Sequence, residues 1–280
     1  MAKMPEYPMI EINGSELAGG YTKLFGNTKE NQDMGRADVA SYESEVAEQL
    51  RTLRGTRTGW CILTEIFMKA GRSMAIKPLV DLDRNWNLPT NAFAGPADPL
   101  NATPAGKRLL ACSDSPDTKT SGVLPGNFVG TGAGSDVLIR YSPGTWKGSA
   151  ADKPGSDGPE ILFHEMCHGV RQMNGKMYCS SMADNPGYDT YEEFFAIVVS
   201  NMYRSEKGLT TLRQDHHGFN ALPAPLTDPE QFLKDGSNLD HIQKAAEEDP
   251  KKVLINNLAN VACRFNPFKV FRDRYPQLCK

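Results

Sequence analysis

His164-Glu165-Met166-Cys167-His168 places two imidazoles four residues apart, with a carboxylate directly after the first. On a helix, residues four apart stand one turn above each other on the same face, so both rings reach one cation at about 2 Å from each nitrogen. Glu165 then stands beside the cation rather than on it. That arrangement suits hydrolysis, because zinc lowers the pKa of a water to about 7 and polarises a carbonyl while a neighbouring carboxylate takes the proton. One zinc per chain is expected, held first by His164 and His168.

The flanks place the motif inside a helix. Asp157 and Glu160 stand in capping-box spacing, Pro159 suits the first turn, Ile161, Leu162 and Phe163 supply apolar surface, and Asn174-Gly175 ends the run. A catalytic zinc takes three protein ligands and keeps one position open. The natural source of the third is Tyr191 to Asn201, a strongly apolar helix carrying Glu192 and Glu193 at its start. Glu193 is favoured over Glu192, because Ala196 lies one turn further along its face where two helices must approach closely. The bland role for these glutamates is capping, in the pairs Asp189 with Glu192 or Thr190 with Glu193. Arg213-Gln214-Asp215-His216-His217 is the other polar cluster. Adjacent histidines cannot both face one site, so at most one of His216 and His217 is expected to reach a developing oxyanion or the substrate, and the plainer role for the pair is polar surface.

Around these segments the chain alternates helical and strand patterns. Val39, Tyr42, Val46, Leu50 and Leu53 recur at three- and four-residue intervals, and Trp60, Leu63, Ile66 and Phe67 continue after Gly55, which predicts two helices ending at Gly71. Short strands are expected at 73–77 and 136–141, bounded by Pro78 and Pro143-Gly144. Gly130 to Gly134 precedes the second strand, whereas phosphate loops sit between a strand and a helix, so the cluster reads as a flexible turn. That strand is expected to offer its edge to an extended peptide. Residues 1–35 read as an irregular leader, 36–280 as one domain, and 80–126 as a long loop or insertion. From Asp228 onward, polar loops alternate with short helical patterns that complete the fold or meet a partner, and His241 reads as a surface helix residue.

Composition excludes several function classes. With 31 Lys+Arg against 34 Asp+Glu in 280 residues, net charge −3, the basic footprint of a nucleic-acid binder is missing. No apolar run reaches the roughly 18 residues that span a bilayer, and the first residues lack a signal-peptide core. Six cysteines stand singly; Cys263 with Cys279 is one conceivable disulfide, and most are expected as buried thiols.

At HExxH and Glu193-Phe194-Phe195-Ala196 the sequence resembles the gluzincin metallopeptidases, the second segment being similar to the third-ligand stretch of anthrax lethal factor. From Gly55 to Tyr203 it resembles the NleD-like type III effector peptidases and the metallopeptidase domain of some type VI secretion spike proteins. The resemblance implies an α+β, zincin-like fold with the HExxH helix, a second ligand helix and a small sheet. It implies a zinc metallopeptidase acting on a protein, delivered by a secretion apparatus without a signal peptide into a target periplasm or host cytosol. A secretion-system component and an immunity protein would be its partners, with no nucleic acid and no membrane insertion. By the lethal-factor pattern, a tyrosine ahead of the glutamate ligand steadies the oxyanion; Tyr188 is the nearest match and Tyr191 its rival. The expected site is therefore His164, His168 and Glu193 on zinc, with Glu165, Tyr188 and His217 as catalytic groups. Two other readings follow from the same residues: a silent protein in which the metal braces two helices, and an amidase acting on cell-wall peptides.

Overall fold

The computed structural model describes residues 2–4, 6–18, 23, 26–79, 92–110, 128–146, 153–249 and 253–278. Five strands, β1 (Ala2–Met4), β2 (Tyr7–Ile12), β3 (Met74–Lys77), β4 (Phe93–Pro96) and β5 (Val137–Arg140), form one mixed sheet in the order β1-β2-β3-β5-β4. β2, β3 and β5 run parallel; β1 and β4 close the two edges antiparallel. In register, Ile10, Met74 and Val137 align across the sheet, as do Ile12, Ile76 and Ile139. All six are buried. Alternation along a strand puts this row on one face, and the helices cover it.

Helices α1 (Lys29–Arg54), α2 (Arg57–Phe67), α4 (Gly158–Met173) and α5 (Tyr191–Glu206) supply most of the core, with the single turn α3 (Pro99–Ala102) beside the sheet edge. The first two break at Gly55, where Thr56 caps the second by accepting from the Gly59 N–H. A continuous apolar core runs from β2 to the C-terminal helices α6 (Pro229–Lys234), α7 (Asn238–Glu247), α8 (Val253–Ala259) and α9 (Pro267–Arg274). Phe232, Phe265, Phe268 and Phe271 are buried in it, so this region completes the fold.

Helix α4 carries the HExxH motif and is buried around nearly its whole circumference. It meets side chains of the sheet at Gly169, immediately after His168. A Cβ there would lie 2.4 Å from Met74 Cε and 3.4 Å from Val137 Cγ1. Glycine lets the motif helix sit directly on β3 and β5.

Four expectations fail against this architecture. The leader is not irregular: β1, β2 and the start of α1 fall within it, and only two alternating isoleucines announced β2. The 80–126 stretch carries an edge strand and a helical turn at 93–102, while 80–91 and 111–126 lie outside the described residues. Because β4 pairs antiparallel with β5, the strand at 137–140 has no free edge, and the edge beside it belongs to β4. The glycine cluster is there for close approach: Gly134 has φ +80°, and a Cβ on it would lie 2.1 Å from the Met173 carbonyl oxygen at the end of the motif helix.

Cys61 and Cys167 are buried thiols as expected, but the conceivable Cys263–Cys279 pair fails. Cys61, Cys167 and Cys263 are free, and the Cys263 thiol donates to the Phe265 carbonyl at 3.1 Å, so it is not paired with Cys279. Cys179 is disulfide-bonded. No helix among the described residues is long and apolar enough to cross a membrane.

Candidate metal centre

A helix buried all round has to satisfy every polar side chain it carries. Helix α4 carries Glu160, His164, Glu165, His168, Arg171 and Gln172, all buried. The arrangement of their partners builds the site.

The two ends of α4 are clamped to α5, which runs antiparallel to it. At one end Glu160 accepts from Arg204 and, at 2.8 Å, from the Gly155 N–H. Asp157 makes no side-chain cap here, so the expected capping box is replaced by this long-range pair. At the other end Arg171 Nε donates to both oxygens of Glu192, at 3.0 and 2.9 Å. The Tyr178 N–H adds a third hydrogen bond to Glu192 at 2.7 Å. Gln172 ties the helix to the edge strand, donating to the Ala94 carbonyl at 2.9 Å.

Between the clamps lie the remaining groups. His164 Nε2 and His168 Nε2 are 3.1 Å apart. Glu193 Oε2 is 3.1 Å from His164 Nε2, and its Oε1 is 3.2 Å from His168 Nε2. A tetrahedron with zinc–ligand arms of about 2.0–2.1 Å has edges of roughly 3.3 Å, and each of these separations, two of them to different oxygens of Glu193, is close to such an edge. The donor set of two imidazoles and one carboxylate fits zinc. Glu192 faces Arg171 and Glu193 faces the histidines, because successive helical residues point about a quarter-turn apart.

Burial and mutual contact set the charge balance of these groups. Burial pushes His164 down, against the pull of Glu193. For His168 the same burial is outweighed by the Glu193 and Glu165 carboxylates, which push it up. Burial would raise Glu193, but the two imidazoles hold it well below the usual carboxylate range. Burial also raises the Cys167 thiol, with Glu165 adding to the effect, and Cys167 is not among the metal-competent donors.

His216 closes the site from the opposite side. Its ring stacks on His164 with centroids 6.3 Å apart and planes 15° apart, and its Nε2 is 3.4 Å from Glu193 Oε2. Its Nδ1 is 2.7 Å from Asp189 Oδ2. The buried Arg213 holds this loop, donating to the Asp215 carbonyl at 2.7 Å and to the His216 carbonyl, while the His216 N–H donates to the Gly187 carbonyl at 2.9 Å. His217 points outward, 70% exposed, with Nε2 2.9 Å from the same Asp189 oxygen.

The expected residues thus divide. His164, His168 and Glu193 are brought together, with Glu165 buried on the same helix. Tyr188 packs edge-on against Phe194 at 5.1 Å, in an aromatic cluster that includes Phe232 and His241. Tyr191 lies against His241 and below Lys244 Nζ, and His241 is packed in this cluster rather than displayed on the surface. Asp189 was legible only as a helix cap; Thr190 is the cap, accepting from the Glu193 N–H at 3.4 Å. The signal for Asp189 was its position just ahead of that cap, where a short polar side chain tolerates a left-handed turn.

A protein-family model described as Peptidase_M91, effector protein, matches residues 28–233. The chain belongs to that family. The matched span contains the HExxH helix, the Glu193 helix, Asp189 and the 213–217 loop, and it leaves out β1, β2 and the last three helices. No curated protein and no solved structure matches the chain. Membership makes this a bacterial effector peptidase, with protein as its substrate class and a host or target cell as its place of action.

Proposed function

We propose that the chain is a zinc-dependent endopeptidase that cleaves a target-cell protein, with the metal held by His164, His168 and Glu193. The observation that carries this reading is the buried donor cluster, in which His164 Nε2 and His168 Nε2 stand 3.1 Å apart and each meets one oxygen of Glu193, at 3.1 and 3.2 Å, beside a buried Glu165. When bound, zinc would acidify a water and polarise the scissile carbonyl. Glu165 takes the proton from the attacking water and returns it to the leaving amine. His216 replaces Tyr188 and His217 as the group that steadies the oxyanion: it donates from Nε2 while Asp189 holds its Nδ1. Asp189 is a positioning residue. Delivery by a secretion apparatus and an immunity partner belong to the same proposal.

The test is elemental mass spectrometry of the protein purified without added metal, together with digestion of a denatured generic protein by wild type and Glu165→Gln. About one zinc per chain, chelator-sensitive cleavage by wild type and zinc-loaded but inert Glu165→Gln would support the reading. Zinc without cleavage by wild type would make the metal a brace. Cleavage of purified peptidoglycan peptides alone would make the enzyme an amidase.

A further inference from the structure

The outward side of His216 is built as carefully as its inward side. Asp189 Oδ2 stands 2.7 Å from His216 Nδ1 and 2.9 Å from His217 Nε2, and the two rings are 4.3 Å apart between centroids. The three donor atoms lie within 4.8 Å of one another. We infer that Asp189, His216 and His217 form a second binding site for a divalent transition-metal cation, on the rim of the proposed zinc site and distinct from it.

Geometry carries this reading. Asp189 has φ +57°, a left-handed conformation that a residue with a side chain keeps only where the surroundings impose it. Here they do, since the Met182 N–H donates to the Asp189 carbonyl at 3.0 Å and Thr190 begins α5 directly after it. The strained turn delivers one carboxylate oxygen to both imidazoles. The opposing loop is fixed by Arg213 on two carbonyls and by the bond from the His216 N–H to Gly187.

Chemistry selects the ligand class. Two imidazole nitrogens and one carboxylate oxygen suit zinc, copper or nickel, and supply too few oxygens for calcium or magnesium. For the cation to bind, His216 Nδ1 and His217 Nε2 must present lone pairs, so any proton on them moves to the other ring nitrogen or to solvent. The oxygen–nitrogen separations must open by a few tenths of an ångström to reach the roughly 3.3 Å edge of a zinc tetrahedron. His217 is 70% exposed, so binding has to order it. The outer site is therefore the weaker of the two. His216 then joins them through one imidazole, Nδ1 on the outer cation and Nε2 toward Glu193.

The inference stands apart from the peptidase reading because its readout is stoichiometry. Calorimetric titration of the metal-stripped full chain with zinc chloride should show two equivalents, the second binding at least tenfold more weakly. His217→Ala removes an exposed side chain and should lose the second equivalent while retaining the first. Asp189→Asn, which tolerates the left-handed turn, should do the same. Two equivalents surviving in either variant, or a single equivalent in wild type, would overturn the second site. Loss of the first equivalent alone, in His164→Ala, would leave it standing whatever becomes of the peptidase reading.

Discussion

Arg171 Nε donates to both carboxylate oxygens of Glu192, and this one pair decides which of two adjacent glutamates can face the histidines. Glu192 Oε1 also accepts from the Tyr178 N–H, and Arg171 continues to Glu248 at 3.0 Å and to the Lys176 carbonyl at 2.7 Å. The carboxylate is thereby locked into a brace between α4 and the loop that follows it. Its neighbour Glu193 is left to face His164 and His168.

Alanine at the two positions should therefore separate stability from metal binding. Glu192→Ala leaves a buried guanidinium short of its main partner, which typically costs about 3–5 kcal/mol, and Glu248 offsets part of that. Its Tm falls, while the folded fraction keeps one zinc. Glu193→Ala removes a zinc donor and no clamp, so zinc per chain should drop with a smaller change in the metal-free Tm. Differential scanning calorimetry of stripped protein and elemental analysis of loaded protein read the two effects. The opposite assignment would put Glu192 on the metal.

The clamp at the other end allows a cleaner energetic test. Arg204 and Glu160 are both buried, so removing one charge leaves the other uncompensated. Arg204→Met alone should lose about 3–5 kcal/mol, whereas Glu160→Leu with Arg204→Met should recover most of it, because an apolar pair of similar volume avoids the desolvation of both ions. Urea denaturation gives the cycle. A double variant no better than the single would mean that the Gly155 N–H and the Thr211 carbonyl, which these side chains also hold, carry the stability instead.

Gly169 sets how close the motif helix lies to the sheet. Gly169→Ala should cost about 1–3 kcal/mol by overpacking, toward the low end because the clashing atom is the mobile end of Met74. It should also weaken zinc affinity, since His168 is the preceding residue and the helix must lift. Met74→Ala in the Gly169→Ala background should restore both. Zinc affinity that is unchanged by Gly169→Ala would show that α5 moves with α4.

What the sequence disclosed was what is local. The HExxH spacing, the Glu193 helix and the parallel strands at 74–77 and 137–140 rest on periodicities within a few residues. What it hid depends on partners far along the chain. Arg171 and Arg204 look like solvent-facing charges at helix ends until Glu192 and Glu160 come opposite them. β4 lies in a proline- and glycine-rich stretch whose strand character comes from pairing with β5. The adjacent pair His216-His217 is symmetrical on paper; the bond from the His216 N–H to the Gly187 carbonyl turns one inward and the other out.

That asymmetry gives the kinetic prediction. If His216 donates to the oxyanion and Asp189 orients it, His216→Ala should lower kcat by about 10²–10³ with KM nearly unchanged, because the interaction exists only in the transition state. Zinc at the inner site should stay bound, since His164, His168 and Glu193 are untouched. Asp189→Asn keeps a hydrogen-bonding partner for Nδ1 but loses the carboxylate that orients the ring most strongly, so its kcat should fall less. Tyr188→Phe removes only a hydroxyl in the aromatic cluster around Phe194 and should leave kcat within about twofold. A collapse of kcat in Tyr188→Phe with full activity in His216→Ala would return the oxyanion role to the tyrosine.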